Sequence, residues 1–142
     1  LGGTNYRAAE DALRLTARLA GLATGSGRRM MIQTSDPDHP VVRSLVRGDP
    51  IEALRSELDE RQRFGYPPAG ELIVVEITGG DAKEIDSLDG ATVLGPAPYR
   101  EGQRWLIQGA DLRAAKLAMR PLVQRWRDGG ARVRIDVDPI DL

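Results

Sequence analysis

Four cations lie on one flank of the longest helix that the C-terminal half of the sequence predicts. Arg113, Lys116, Arg120 and Arg127 follow one another at spacings of three, four and seven residues, which brings them to one side of a helix. Like charges at such spacings repel by roughly a few tenths of a kcal/mol unless an anion lies on them. The flank is therefore either a solvated surface or a binding site for DNA phosphates or an acidic peptide tail.

A second candidate site for DNA or an acidic partner follows the dipeptide Gly95-Pro96. Arg100 and Arg104 lie there, on a predicted loop and at the start of a predicted strand. The two tryptophans, Trp105 and Trp126, fall on apolar positions of a strand and a helix. We expect them to be core residues rather than platforms on which bases stack.

The sequence contains few residues that could catalyse a reaction or bind a metal ion. The only histidine, His39, precedes Pro40 and is expected to begin a helix, although an enzyme that used it with nearby carboxylates is a third hypothesis. Asp136, Asp138 and Asp141 are interpreted as an outward strand face and a terminal turn rather than as metal ligands. The sequence predicts no catalytic residue, no metal site and no cofactor in this chain.

Composition limits the class of protein further. The 142 residues contain no cysteine, which excludes disulfides and Cys-ligated metal sites in this chain. The 20 basic and 21 acidic residues give a net charge of −1, so any attraction to nucleic acid must come from a local patch. No apolar run approaches the roughly 18 residues of a membrane span. We therefore expect a cytoplasmic protein without a membrane partner.

The N-terminal half predicts helices and one strand. Apolar residues at helical spacing predict a helix over 5–23, and the run 30–34 predicts a buried strand. A turn then leads into a short helix that ends near Arg47. The next helix is marked by Asp49 as N-cap, Pro50 and Glu52 in a capping box, and it is predicted to bury a stripe of apolar residues: Ile51, Leu54 and Leu58.

The C-terminal half predicts the order β-α-β-β-α-β. The strands are expected at 72–78, 91–94, 103–108 and 132–137, and the helices at 81–88 and 111–127, with a Pro/Gly loop at 95–102. Val133, Ile135 and Val137 are expected to face the core. This order predicts an α+β fold of the ferredoxin-like split βαβ type, a four-stranded antiparallel sheet with two helices on one face.

Three stretches, taken in order, carry a resemblance to one family. They are Gln33–Val42; Glu57-Leu58 with Arg61 and Gly65–Pro68; and Gly95–Pro98 with Arg104-Trp105 and Ile135–Ile140. Together they resemble the C-terminal part of the primosomal protein N′ (PriA) family of bacterial replication-restart DNA helicases. The resemblance implies an ATP-binding helicase in the full-length family, and a last domain that binds branched DNA, the single-stranded-DNA-binding protein and primosome proteins.

The resemblance also implies a division into three segments. Residues 1–35 are expected to be the remnant of a RecA-like second helicase lobe, 36–66 connecting helices, and 67–142 the C-terminal α/β domain. At the end of that lobe the family carries a motif VI whose arginines reach the γ-phosphate of ATP. The matching run here is degenerate, and its positions are Arg18, Gly21, Leu22 and Gly25.

Two of those positions decide the expected activity. Leu22 and Gly25 stand where the family has arginines, and loss of such an arginine costs roughly 10³–10⁵ in turnover. A slipped alignment would place Arg28 and Arg29 there instead. We predict a PriA-like fragment that binds forked DNA and replication-restart partners, without helicase activity. The alternative is a ferredoxin-like regulatory or dimerisation module that binds a small ligand.

Overall fold

The computed structural model describes residues 6–23, 27–80, 85 and 87–140. Within them the chain forms four helices and four strands: α1 (Ala8–Leu22), α2 (Pro40–Arg47), α3 (Pro50–Phe64), β1 (Glu71–Thr78), β2 (Thr92–Tyr99), β3 (Gly102–Gly109), α4 (Arg113–Asp128) and β4 (Arg132–Val137). The chain divides into two compact units, one up to Glu60 and the other from Arg61 to Ile140, with the boundary inside α3. The sequence boundaries at 35/36 and 66/67 stay predictions.

The first unit has a small core. Leu13 of α1, Val41 of α2 and Ala53 of α3 are buried against one another. The buried hydroxyl of Ser44 accepts a hydrogen bond from the Ala53 amide at 3.0 Å. His39 begins α2 as predicted, since its Nδ1 accepts a hydrogen bond from the Val41 amide at 3.2 Å.

The start of α3 is confirmed in part. The Asp49 carboxylate accepts a hydrogen bond from the Ile51 amide at 2.9 Å, which makes Asp49 the N-cap. The predicted capping box is not completed, because Glu52 instead pairs with Arg43 at 3.2 Å and Arg47 at 2.6 Å. Two guanidinium groups attract the Glu52 carboxylate more strongly than one neutral amide does.

Two expectations for this unit are wrong. Residues 30–34 form no strand, and Met31 is 94% exposed. Among the described residues of this unit there is no strand with which the short run could exchange hydrogen bonds. The stripe predicted for α3 is exposed, since Ile51, Leu54 and Leu58 face solvent while Ala53 fills the buried position. Ala53 is the residue by which α3 contributes to the core with Leu13 and Val41, on a different side of the helix from the predicted stripe.

The second unit is built on an antiparallel sheet with the strand order β2-β3-β1-β4. Its core lies between the sheet and α4. Ile73, Val75 and Ile77 of β1 alternate toward this core, as period-2 strand geometry requires. Trp105 and Trp126 meet there, 1% and 5% exposed, with ring centroids 6.5 Å apart. The prediction that both tryptophans are core residues is confirmed.

The α+β class and the four-stranded antiparallel sheet are confirmed. The helix predicted at 81–88 falls largely on residues outside the described ones, so the ferredoxin-like assignment stays a prediction. The Pro/Gly loop predicted at 95–102 is wrong in its first half, because β2 continues to Tyr99. β2 is an edge strand that pairs with β3. Prolines, which have no backbone N–H to donate, are tolerated at such an edge, as at Pro96 and Pro98.

The apolar alternation of β4 has a different consequence from the expected one. The register places Ile135 beside Val75 and Val137 beside Ile73, on the side of the sheet that α4 covers. Val133 packs against the core, but Ile135 is 38% and Val137 48% exposed. The α4 helix therefore leaves part of the β4 edge uncovered.

Candidate functional site

A groove runs between α4 and β4 in the second unit. Its volume is about 390 Å³, within the usual range for ligand sites. Apolar side chains of three elements form its floor: Ile73, Met119, Val123, Ile135 and Val137. Polar side chains one helical turn apart on α4 form its rim: Lys116, Arg120, Gln124 and Arg127. The groove thus combines an apolar floor with a cationic rim.

The cations predicted on this flank are not equivalent. Lys116 Nζ lies 2.9 Å from Glu71 Oε2, and exposed Arg113 lies 3.7 Å from Asp111. For Arg120 and Arg127 the structure shows no carboxylate partner within the described part of the chain. An incoming anion therefore meets its strongest attraction at Arg120 and Arg127.

Glu71 connects β1 to the start of α4. Its Oε2 accepts hydrogen bonds from Lys116 Nζ and from the Leu112 amide, both at 2.9 Å. The hydrogen bond from Lys116, followed by that from the Leu112 amide, holds the pKa of Glu71 below its ordinary value of 4.5. The carboxylate lies at the N-terminal end of α4, where the Asp111 carboxylate also accepts a hydrogen bond from the Arg113 amide at 2.9 Å.

This arrangement predicts a pH dependence of stability. A lowered pKa in the folded state means that the Glu71 carboxylate stabilises the fold above pH 4.5, and that this contribution disappears as the pH falls through the lowered value. The melting temperature of Glu71→Gln is therefore expected to lie below that of the wild type at neutral pH, with the gap closing below pH 4.5. Thermal melts between pH 7 and pH 3 would measure it.

The matched control is Glu101→Gln, which removes an exposed carboxylate from the β2–β3 turn, where the structure shows no ion pair among the described residues. Its melting temperature is expected to follow that of the wild type over the whole range. A gap between wild type and Glu71→Gln that stays constant down to pH 3 would contradict the assigned role of Glu71.

The second predicted site lies on the other side of the sheet. Arg104 is paired with Glu76 in the β1–β3 register, on the face turned away from α4, and its NH2 lies 2.7 Å from Glu76 Oε1. Arg104 and Arg100 both lie over the ring of Tyr99, at 3.5 and 5.1 Å from its centroid. The two predicted basic sites are therefore separate, and the charge of Arg104 is already balanced.

The positions matched to motif VI lie at the end of α1. Arg18 is exposed, Gly21 and Leu22 form the last turn, and the Leu22 carbonyl accepts a hydrogen bond from Arg28 at 3.4 Å. Gly25 lies outside the described residues. The degeneracy of this motif stays a prediction.

Sequence reasoning missed half of the groove. Gln124 was not singled out, although it follows Arg120 by one helical turn. Ile135 and Val137 were assigned to the core, because alternation indicates the face of a strand but not how far a helix covers that face.

The comparison with protein families identifies the second unit. The family model described as "Primosomal protein N C-terminal domain" matches residues 62–140. The chain belongs to this family. Its match covers the sheet, α4 and the groove, which assigns the groove to the PriA C-terminal region.

Relatives match over nearly the whole chain. A replication restart protein PriA from Synechocystis is 29% identical over 100% of this chain and 20% of its own length. A probable replication restart protein PriA from Deinococcus radiodurans is 32% identical over 98% and 17%, and PriA from Haemophilus influenzae is 28% identical over 97% and 22%. The chain spans about a fifth of the length of these curated relatives.

One further observation bears on membranes. Within the described ranges, none of the helices combines the length and apolar character needed to cross a bilayer.

Proposed function

We propose that this PriA C-terminal region docks replication-restart partners by holding an acidic, apolar-ended peptide tail in the groove between α4 and β4. The observation that carries the proposal is the position of exposed Ile135 and Val137 directly beside the rim that holds Arg120. The family resemblance suggests the single-stranded-DNA-binding protein as the source of such a tail. Other primosome proteins would then assemble at the same replication fork.

A peptide tail fits this groove better than DNA does. A phosphate backbone would use the cations of the rim, but it would leave Ile135 and Val137 facing water or a charged chain. A peptide whose acidic residues meet Arg120 and Arg127 can bury its apolar end residue on the floor, and each buried methylene adds about 0.8 kcal/mol. Its terminal carboxylate supplies one more acceptor for a guanidinium.

Branched DNA is a second proposed partner, at a different place. Arg100 lies at the tip of the β2–β3 turn, exposed, with its guanidinium over the Tyr99 ring and no carboxylate partner in the described part of the chain. An exposed arginine at a hairpin tip can reach a phosphate without rearrangement. A contribution of this kind is independent of base sequence and weakens with salt.

The remaining assignments are proposals of the same kind. The absence of ATP hydrolysis in this chain rests on the positions of Leu22 and Gly25. The remnant lobe at 1–35 rests on the family resemblance, and the ferredoxin-like arrangement rests on the helix predicted at 81–88. A cytoplasmic location accords with replication restart. A ferredoxin-like module that binds a small ligand or dimerises is the alternative, and it would use the same open groove or sheet edge.

Titration of the full chain with a labelled peptide tests the main proposal. The peptide carries a run of aspartates, two apolar residues and a free terminal carboxylate, and fluorescence anisotropy reports its binding. We expect saturable binding, and about 10- to 100-fold weaker binding when the terminal carboxylate is amidated, since a hydrogen bond to a charged group contributes about 1.5–3 kcal/mol.

The control peptide keeps the aspartates and replaces both apolar residues by serine. If the control binds as tightly as the test peptide, the groove floor plays no part and the cations alone attract anions. A labelled forked duplex in the same assay separates the DNA proposal, since it is expected to compete weakly with the peptide if the two sites are separate.

A further inference from the structure

The two edges of the sheet differ in how they are protected against an added strand. The β2 edge carries Pro96 and Pro98, and its pairing with β3 shifts register between Leu94 and Ala97. Prolines and bulges are common means of blocking an edge. The β4 edge has neither, since it pairs with β1 in unbroken register from Arg132 to Val137 and contains no proline. The β4 edge carries charged side chains at Arg132, Arg134 and Asp136, but neither a proline nor a bulge interrupts its backbone.

The register identifies the backbone groups that β4 presents at its outer edge. The Asp138 amide donates a hydrogen bond to the Leu72 carbonyl at 2.8 Å. The backbone groups of Asp138 therefore point toward β1 rather than toward the outer edge. In an antiparallel ladder this orientation alternates, so Arg134 and Asp136 also turn their backbone groups toward β1. The amides and carbonyls of Val133, Ile135 and Val137 consequently point away from the sheet, and no element in the described ranges pairs with them.

The same residues connect the edge to the groove. The side chains of Ile135 and Val137 line the groove floor, while their backbone groups lie at the open edge. An added strand at this position would project every second side chain toward the floor, beside Arg120 and Arg127. The edge and the groove therefore form one surface that suits an extended chain.

We propose that the bound segment is an extended acidic peptide that adds to the outer edge of β4 as a fifth strand. This inference rests on the function proposed above and specifies how the peptide is held. Charge complementarity decides the occupant. In a second copy of this chain added at β4, the rim cations Arg120 and Arg127 would meet the same cations of its twin, whereas an acidic peptide neutralises them.

Amide hydrogen exchange of the full chain, with and without the peptide of aspartates and two apolar residues, tests the geometry. In the free chain the amides of Val133 and Ile135 are expected to exchange rapidly, and saturating peptide is expected to slow them about tenfold or more. The Arg134 and Asp136 amides, which face β1, are expected to be protected in both states.

A pair of variants tests the same hydrogen bond by affinity. Ile135→Ala shortens the side chain and keeps the amide, whereas Ile135→Pro also removes the outward amide without removing a bond to β1. We expect Ile135→Pro to bind the peptide about two- to tenfold more weakly than Ile135→Ala, as for loss of one hydrogen bond. Circular dichroism establishes that both variants are folded, and the exchange measurement on the wild type does not depend on them.

The outcomes separate the two proposals. If the peptide binds but leaves the exchange of Val133 and Ile135 unchanged, strand addition is wrong and the groove function stands. If the peptide does not bind the wild type, both proposals fail. Protection of these amides that rises with protein concentration in the absence of peptide would show a second copy at the edge, which would also overturn the inference.

Discussion

Replacement of Arg120 by glutamate is expected to weaken binding of the acidic, apolar-ended peptide by about 10- to 100-fold. Arg120 lies at the groove rim, and the described residues supply no carboxylate to balance it. A hydrogen bond to a charged group contributes about 1.5–3 kcal/mol, and the variant also places a negative charge opposite the ligand. The core is expected to remain intact, because the side chain is exposed.

The matched control is Arg125→Glu. Arg125 belongs to the same helix and is also exposed, but it does not line the groove. The Arg125→Glu substitution changes the net charge by the same amount as Arg120→Glu, so any general electrostatic effect appears in both variants. If Arg120→Glu and Arg125→Glu reduce the affinity equally, long-range charge rather than the groove holds the peptide.

Replacement of Trp105 by alanine is expected to have the largest effect on stability, a loss of about 3–5 kcal/mol in the free energy of unfolding. Trp105 is 1% exposed and packs on Trp126 in the core between the sheet and α4. Domains of this size are stable by only about 5–15 kcal/mol, so the second unit would be close to unfolding. Urea denaturation followed by far-ultraviolet circular dichroism measures the change.

Leu117→Ala serves as the control for this loss. Leu117 lies on α4 and is 60% exposed, and alanine favours a helix, so the expected change is within about 0.5 kcal/mol. A similar small change for Trp105→Ala would mean that the two tryptophans do not anchor α4 to the sheet. The groove, which depends on that placement of α4, would then lose its structural basis.

The accuracy of the sequence predictions depends on whether local or non-local interactions decide each element. Asp49 and His39 begin helices through contacts with amides two residues away, and such local signals can be read directly. The strand expected at 30–34 fails because a strand depends on a neighbour that no local pattern reveals. A buried strand requires both an apolar run and a neighbouring strand, and only the apolar run is visible in the local sequence.

The groove shows the same limit for function. Helical spacing predicted the cations Lys116 and Arg120 on one flank, but not that Glu71, 45 residues earlier in the chain, would pair with Lys116. Strand alternation correctly placed Ile135 on the α4 side of the sheet. It did not predict that α4 would leave the Ile135 side chain partly exposed. The groove therefore arises where the predicted face of α4 fails to cover the predicted face of β4, which depends on their packing in three dimensions.

Mapping the bound peptide by nuclear magnetic resonance tests the central claim most directly. The isotopically labelled full chain is titrated with the peptide of aspartates and two apolar residues, and amide shifts are followed residue by residue. We predict the largest changes at Arg120, Gln124 and Ile135, on the two walls of the groove. Changes confined to Arg100 and Arg104, on the opposite face of the sheet, would contradict the claim that the α4–β4 groove is the docking site.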